Sequence, residues 1–384
     1  MLEFLALKPE TFGLDISDLS LKVAKLKKRQ GDLSLMSFGE GNIPPGVIEG
    51  GEIKDETTLA KIIQETIRKT KGAKIKTKEA IVSLPEEKAF LQVIQIPRMT
   101  EEELKKAVRF EAENYIPLPL EEVYLDFQIA KPLSNHLDHI DVLIAALPKK
   151  TVDPYVSSIK KAGLIPQVFE IESQAISRAL VKNEISPSPV LLIDLGATRT
   201  SFIIFSGYSL RFTSSIPVSS RKFTEAISEA LNVDFVTAEK LKKQYGLETS
   251  EKIRLRKKPG EVKFEKEIIE DKKIFNAVIP ALIDLVEQIK KHINYYQTHA
   301  SHEHLQSENE SHPGKGVAKI FLSGGGANLK GLPDILSLEL GIPVEKGNPW
   351  INILPEPLKE VPELSYEKSL SFATALGLAL RSYR

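Results

Sequence analysis

The sequence predicts an α/β protein of two lobes around a ligand cleft, with a small α+β subdomain inserted in the first lobe. Three observations carry this. The chain has 384 residues, more than one hydrophobic core usually organises. Two strand–turn–strand units, at 12–26 (FGLDISDLSLKVAKL) and 190–205 (VLLIDLGATRTSFIIF), lie about half the chain apart, and in each an apolar strand ends on an aspartate, Asp15 or Asp194. A third piece, residues 320–332 (IFLSGGGANLKGL), reads as a strand, three glycines and a helix start.

The turn of the second unit is suited to an anion. Gly196 can take backbone angles that other residues avoid, its bare N–H can approach a phosphate, and Thr198, Thr200 and Ser201 supply hydroxyls. The carboxylate beside them would repel that phosphate unless a divalent cation sits between, so the turn implies magnesium as well as nucleotide, with Asp15 and Asp194 holding the ion partly through water.

Composition narrows the rest. Lys and Arg total 52 and so do Asp and Glu, a balance that argues against a general nucleic-acid binder. The absence of cysteine excludes a disulfide framework, a thiolate metal site and a cysteine nucleophile. No apolar run approaches the roughly 20 residues that span a bilayer, and the opening MLEFLALKPETF lacks the basic start and long apolar core of a signal peptide, so a cytoplasmic protein is expected. Met1, Leu2, Phe4, Leu5 and Leu7 are expected to pack on their own domain.

In chain order, residues 12–18, 21–28 and 33–38 read as a three-strand meander with a turn at Gly31-Asp32, followed by a Pro/Gly-rich loop at 39–51. Residues 57–70 form an amphipathic helix with Leu59, Ile62, Ile63, Thr66 and Ile67 on one stripe, and 80–84 a buried strand. At Pro85 the pattern changes: 90–96 alternates like a half-exposed strand, and Thr100 with Glu103 makes a capping box for a helix that stops at Pro117 and Pro119. Strands at 123–130 and 141–146 and a helix at 152–162 complete a β-α-β-β-α insertion. Helices follow at 171–180, 221–231 and 237–245; 248–273 is heavily charged with a short hairpin expected, and 274–296 is a long helix with Pro280 near its start. The polar stretch 297–316, with His299, His302, His304 and His312, reads as an exposed loop. A helix at 333–340, a strand at 343–345, a Pro-rich return at 348–362 and a helix at 366–381 close the chain, the last placing Ala373, Ala375, Gly377 and Ala379 for close backbone contact.

Taken together, the two hairpins and the triple glycine resemble the actin-like ATPase superfamily, in which two hairpins cradle the phosphates and a Gly-rich turn lies against the adenosine. Residues 111–129 (EAENYIPLPLEEVYLDFQI) and 145–173 more specifically resemble the PilM family, cytoplasmic actin-like proteins of type IV pilus assembly, and that resemblance extends over 12–381. It implies a first lobe of 1–84, 166–189 and 356–384, an inserted subdomain of 85–165 and a second lobe of 190–355. It also implies ATP or ADP held by Asp15, Ser17, Lys22, Asp194, Gly196, Ala197, Thr198, Arg199, Thr200, Gly324, Gly325, Gly326 and Asn328, with Glu239, Lys242 and Lys243 gripping the ribose and shielding the adenine. Glu172 stands where chaperone-type members carry a glutamate that orients the attacking water.

The sequence departs from that pattern in three places. The first turn reads Asp15-Ile16-Ser17-Asp18, where Asp-x-Gly and a hydroxyl residue are expected; the second carries Ala197 for a glycine; and Ser219-Ser220-Arg221-Lys222 replaces a Gly-Gly pair. A carboxylate about 5 Å from a phosphate oxygen costs on the order of 3 kcal/mol at an effective dielectric near 20, so hydrolysis is expected to be weak or absent, with Lys22 and Arg199 partly restoring positive potential.

The partner implied is the N-terminal cytoplasmic tail of a PilN-like membrane protein on the pilus assembly platform, bound beside the insertion with 90–96, 101–115 and 123–129 as walls. This places the protein at the inner face of the cytoplasmic membrane through its partners. Residues 351–355 (INILP) resemble that tail's own motif; chance is the preferred reading of the match, with self-occupancy of the groove the alternative to test. Two alternatives stand beside this reading: an FtsA-like cell-division protein, which would carry an amphipathic membrane helix after a linker where this sequence reaches Arg384 directly after its last core helix, and a small-molecule kinase, for which 43–84 shows no polar sugar pocket.

Overall fold

A computed structural model describes residues 9–29, 31–131, 138–247, 262–300, 316–355, 357 and 361–383. Its first sheet begins as the expected meander, β1 (Phe12–Ile16), β2 (Ser20–Arg29) and β3 (Asp32–Asn42). The pair β4 (Ile48–Glu49) and β5 (Glu52–Ile53), the helix Glu56–Arg68 and the two-residue β6 (Lys71–Gly72) lead to β7 (Glu79–Leu84). Asp55 caps that helix by accepting from the Thr58 N–H at 2.9 Å, and Leu59 and Ile63 are buried on the stripe read from the sequence.

Three strands then form a separate sheet: β8 (Phe90–Pro97), β9 (Val123–Ile129) and β10 (His139–Pro148), in the order β8-β10-β9. The expected capping box opens the helix Glu101–Ala112: Thr100 Oγ1 accepts from the Glu103 N–H at 3.4 Å while Glu103 Oε2 accepts from the Thr100 N–H at 2.9 Å. Leu104, Val108 and Ala112 of this helix pack on Ile94, Ile96, Val142 and Ile144. The sheet's other face packs elsewhere: Leu143, with Leu91 and Val93, meets Val190, Leu192, Ile203, Phe205 and Leu210 of the second large sheet. The helix Lys149–Lys161, grouped with the insertion in the sequence, buries Val152, Tyr155 and Ile159 in the core of the first sheet instead.

A strand the sequence reading missed, β11 (Ile165–Ile171), pairs parallel with β7 and gives the first sheet the order β11-β7-β1-β2-β3-β6. After the helix Glu172–Leu180 the second large sheet repeats this arrangement. Its strands β12 (Ser186–Leu195), β13 (Thr200–Gly207) and β14 (Ser209–Ile216) form an antiparallel meander, and β15 (Lys319–Ser323) and β16 (Val344–Lys346) add in parallel beside β12, giving β14-β13-β12-β15-β16. Each large sheet thus contains a three-strand antiparallel meander extended by two parallel strands, the first sheet carrying the short antiparallel β6 beside β3 as well, and this is the duplication that the paired hairpins suggested.

The long helix runs Val262–His299 with Pro280 inside it, so it begins twelve residues before the expected 274. Its added turns are rich in Glu and Lys, strong helix formers whose charge reads in the sequence as a solvated segment. The hairpin expected within 248–273 therefore has no counterpart from 262 onward, and 248–261, like 1–8 and the histidines at 302, 304 and 312, lies outside the described residues. The last helix is also broken: Tyr366–Ser369 and Ala373–Leu380 flank a 3-10 turn at Leu370–Phe372. Among the described residues no helix is long and apolar enough to cross a membrane.

Candidate functional site

Asp15 and Asp194 occupy matching positions at the ends of matching strands. Asp15 pairs with Lys22 across the first hairpin, and Asp194 with Ser201 across the second. Each carboxylate is held by a serine on the neighbouring parallel strand: Ser83 Oγ donates to Asp15 Oδ1 at 3.1 Å, and Ser323 Oγ to Asp194 Oδ1 at 2.7 Å. Neither serine was singled out in the sequence. Their signal is a lone hydroxyl ending an apolar strand, AIVSL and IFLS, which gains meaning only once the strand pairing is known.

Both turns and the triple glycine open on one cavity of about 290 Å³. Of the residues expected at the site, Asp15, Ser17, Lys22, Glu172, Asp194, Gly196, Ala197, Thr198, Arg199, Gly324 and Gly325 line it. The glycines divide the work. A Cβ on Gly324 would stand 2.5 Å from the Leu195 carbonyl oxygen, and one on Gly326 would collide with the Leu195 side chain, so these two let the turn press against β12. Gly325 has nothing within 4 Å of its Cβ position and leaves the cavity open.

The remaining expected residues sit outside that lining. Thr200 is buried and donates to the Val218 carbonyl at 2.7 Å, and Asn328 donates to the Glu367 carbonyl at 2.7 Å. Lys242 is buried between the helices Ser220–Leu231 and Phe235–Tyr245, where its ammonium reaches the Ser220 carbonyl at 2.8 Å, Thr224 Oγ1 at 2.7 Å and Glu239 Oε2 at 2.8 Å. Its three donors are thereby used in joining two helices. Glu239 also pairs with Lys243 at 3.1 Å.

Asp18 of the first turn lines the cavity too, as do two carboxylates that the sequence did not place, Glu40 and Glu87. Asp18 Oδ1 accepts from the Gly51 N–H at 2.9 Å. Glu87 Oε1 lies 3.1 Å from Arg199 Nε, so the cation expected to favour an anion is paired across the cleft. Lys22 Nζ donates to Ser20 Oγ at 2.8 Å and stands 4.0 Å from Asp15.

Burial pushes Asp15 up from the usual carboxylate range, against the pull of Lys22 and the Ser83 hydrogen bond. It does the same to Asp194 against the Ser323 hydrogen bond. Glu172 is pushed well above its ordinary value, first by burial and then by the charges of Asp15, Glu87, Asp194 and Glu86. Glu172 begins the helix Glu172–Leu180, whose N-cap residue, Ile171, offers no side-chain acceptor; Glu86 supplies one by accepting from the Ser173 N–H at 3.2 Å. A pocket of crowded carboxylates with too few cations is what a divalent ion or an ion–phosphate complex would neutralise. Among the described residues no three His, Cys, Asp or Glu form a ready-made metal cage.

A second concavity, about 590 Å³, lies between the edge strands β9 and β11. Leu125, Phe127, Leu143, Ala145, Val156 and Phe169 give it an apolar lining, and Glu170 and Arg381 stand within it. Of the three expected walls only β9 lines it; β8 and the helix Glu101–Ala112 do not. Residues 351–355 do not fill it either: Ile353 is buried with Trp350 and Phe372, and Asn352 Nδ2 donates to the carbonyls of Arg178 and Val181 at 2.8 and 2.7 Å. Residues 351–355 are thus a packing segment, in line with the reading of their tail-like text as chance.

Comparison with known proteins sharpens this geometry. The family model of the type IV pilus assembly protein PilM matches residues 13–257, and that of the cell division protein FtsA matches 191–377. A solved PilM-PilN type IV pilus biogenesis complex is similar over 98% of this chain and 100% of that one, at 26% identity and a TM-score of 0.75. MreB5 of Spiroplasma citri bound to AMPPNP, at 14% identity and a TM-score of 0.50 over 95% of this chain and 94% of that one, shares the fold alone. FtsA of Helicobacter pylori is 27% identical over 31% of this chain and 25% of its own length, so the chain spans about a quarter of that relative. The two-lobed architecture is that of actin-like ATPases.

Proposed function

The chain belongs to the PilM family of type IV pilus assembly proteins, and from that premise we propose that it is a nucleotide-binding scaffold of the pilus assembly platform at the inner face of the cytoplasmic membrane. In this reading ATP or ADP with magnesium fills the cleft, and the extended N-terminal tail of a PilN-like membrane protein fills the apolar groove. The carrying observation is that both aspartate turns and Gly324-Gly325 line one cavity.

The residues fit a magnesium–phosphate group. Asp15 and Asp194 supply hard oxygen donors, Ser17 and Thr198 add hydroxyls, and a small divalent ion that keeps several waters needs no protein cage. When bound, magnesium would neutralise phosphate and carboxylate charge together. Gly325 leaves room for phosphate oxygens to approach the backbone, whereas the Gly196 N–H, expected to be bare, donates to the Arg199 carbonyl at 2.9 Å and closes its own turn. Glu172, with its raised proton affinity, would hold a water, while the added carboxylates at Asp18 and Glu87 oppose the charge on a transferring phosphate, which supports weak or absent hydrolysis.

The groove lies directly behind the cleft. Leu84 lines the groove and Pro85 the cleft; Val152 and Val156 line the groove and Tyr155, on the same helix, the cleft; Ile171 and Gln174 line the groove and Glu172 the cleft. Three elements thus present one side to each ligand. The free edges of β9 and β11 suit an extended peptide, which can pair with either by main-chain hydrogen bonds.

Titration with a fluorescent ATP analogue, with and without magnesium, tests the cleft, and absence of saturable binding would remove it. A labelled tail peptide tests the groove. Phosphate release faster than a few turnovers per hour would contradict the scaffold reading.

A further inference from the structure

Asp18 poses a problem for any anion in the first turn, since its carboxylate lines the same cavity as Asp15 and Ser17. We propose that Tyr155 is a positioning residue that, through Gly51, holds the Asp18 carboxylate out of the anion's path. The proposal rests on the nucleotide reading of the cleft.

The connection is short and complete. Asp18 Oδ1 accepts from the Gly51 N–H at 2.9 Å, and the Gly51 carbonyl accepts from the Tyr155 hydroxyl at 3.2 Å. Gly51 has φ +74°, and a Cβ there would stand 2.7 Å from Pro85 Cβ and 2.9 Å from Glu87 Oε1, so this position takes glycine alone. Its two backbone dipoles are the only means by which residue 51 can link its neighbours. Tyr155 is the rigid end of the chain of contacts: it is 1% exposed, within the packed helix Lys149–Lys161, beside Val152 and Ile159. Burial and the surrounding carboxylates, Glu172 first, push its phenol well above the usual range, so it keeps its proton and remains a donor.

Without the phenol hydroxyl, Gly51 loses its fixed carbonyl contact and the Asp18 carboxylate can turn toward the phosphates. Moving one charge by a few ångströms at this depth changes anion affinity about fivefold. The effect must vanish when Asp18 carries no charge, which separates positioning from general support of the cleft.

The test is equilibrium binding of a fluorescent magnesium–ATP analogue to the full chain as wild type, Tyr155→Phe, Asp18→Asn and the double variant. The expected result is about fivefold weaker binding for Tyr155→Phe in the wild-type background and no further change when it is added to Asp18→Asn. An equal loss in both backgrounds, or none in the first, overturns the proposal. Hydrogen exchange at the Gly51 amide, measured without nucleotide, should quicken in Tyr155→Phe. If the wild type binds no nucleotide, the cleft reading fails by itself, and unchanged exchange at Gly51 would show separately that Tyr155 does not hold that peptide.

Discussion

Gly377 lies against the carbonyl of Ala175 so closely that a methyl group at 377 would fall on the oxygen and stand 2.5 Å from the carbonyl carbon. The contact joins the helices Glu172–Leu180 and Ala373–Leu380, and Arg178 Nη1 adds a hydrogen bond to the Gly377 carbonyl at 3.0 Å. Because each helix sends a residue to the cavity edge, Glu172 from one and Thr374 from the other, their separation sets the floor of the cleft.

Gly377→Ala must therefore push two backbones apart, an overpacking cost of roughly 1–3 kcal/mol or more. Gly325→Ala has open space around its Cβ and no strained φ, so stability should be unchanged while the methyl intrudes on the cavity. Denaturant unfolding should single out the first variant and nucleotide titration the second. If Gly325→Ala binds nucleotide as tightly as wild type, the triple glycine has no ligand-facing role.

The three-stranded sheet is anchored to the second large sheet by Asp141 on β10 and Arg211 on β14, 2.5 Å apart with side chains 4% and 3% exposed. Removing one partner leaves the other charge buried and should cost about 3–5 kcal/mol, whereas replacing both by apolar residues of similar volume should be near neutral. Chemical denaturation of Arg211→Met, Asp141→Leu and the double variant checks this. A double variant as unstable as the worse single one would mean that the pair is favourable beyond its desolvation.

The acidic cleft makes stability depend on pH. Asp15 and Asp194 have an ordinary value of 3.8 and Glu172 of 4.5, and all three are raised in the fold. The folded state then keeps protons that the unfolded chain has already released. Their contribution is fully present below those ordinary values and is lost as pH rises from there through the raised folded values. Glu52, lowered to about 2 by hydrogen bonds to Lys54 and Lys88, acts in the opposite direction at lower pH, and a variant comparison cancels it. Melting temperature should fall less steeply above pH 4 in Asp15→Asn than in wild type, and magnesium–nucleotide should flatten the wild-type curve. Parallel curves for the two proteins would contradict the burial argument.

Local chemistry made much of the fold legible. The capping box at Thr100, the stripe on the helix Glu56–Arg68 and the small residues around Gly377 each follow from neighbours in the chain. The missed features depend on partners far away in sequence. β11 is a short strand whose alternation gains meaning only beside β7, and Ser83 and Ser323 become aspartate anchors only through parallel register. The resemblance implies Lys242 at the adenosine, while its bonds to Ser220 and Thr224 of the helix Ser220–Leu231 become legible only once the two helices are packed. Charge repulsion in the first turn was visible, while its restraint by Gly51 was not, since no local pattern links residues 18 and 51.

The groove supplies the test that separates partner binding from nucleotide binding. Ala145 sits on β10, and its small side chain leaves the floor between β9 and β11 open. Phenylalanine there would occupy the space an apolar peptide side chain needs, and because the surroundings, Leu147, Val152 and Val156 among them, are apolar, the fold should accept it. A buried aliphatic anchor contributes about 1.5–3 kcal/mol, so its exclusion should weaken tail binding by at least tenfold. Nucleotide affinity should change far less, since Ala145 does not line the cleft. Fluorescence anisotropy with a PilN-type tail peptide reads the first effect and nucleotide titration the second. Undiminished peptide affinity in Ala145→Phe, with the variant folded, would move the partner site away from this groove and leave the cleft reading intact.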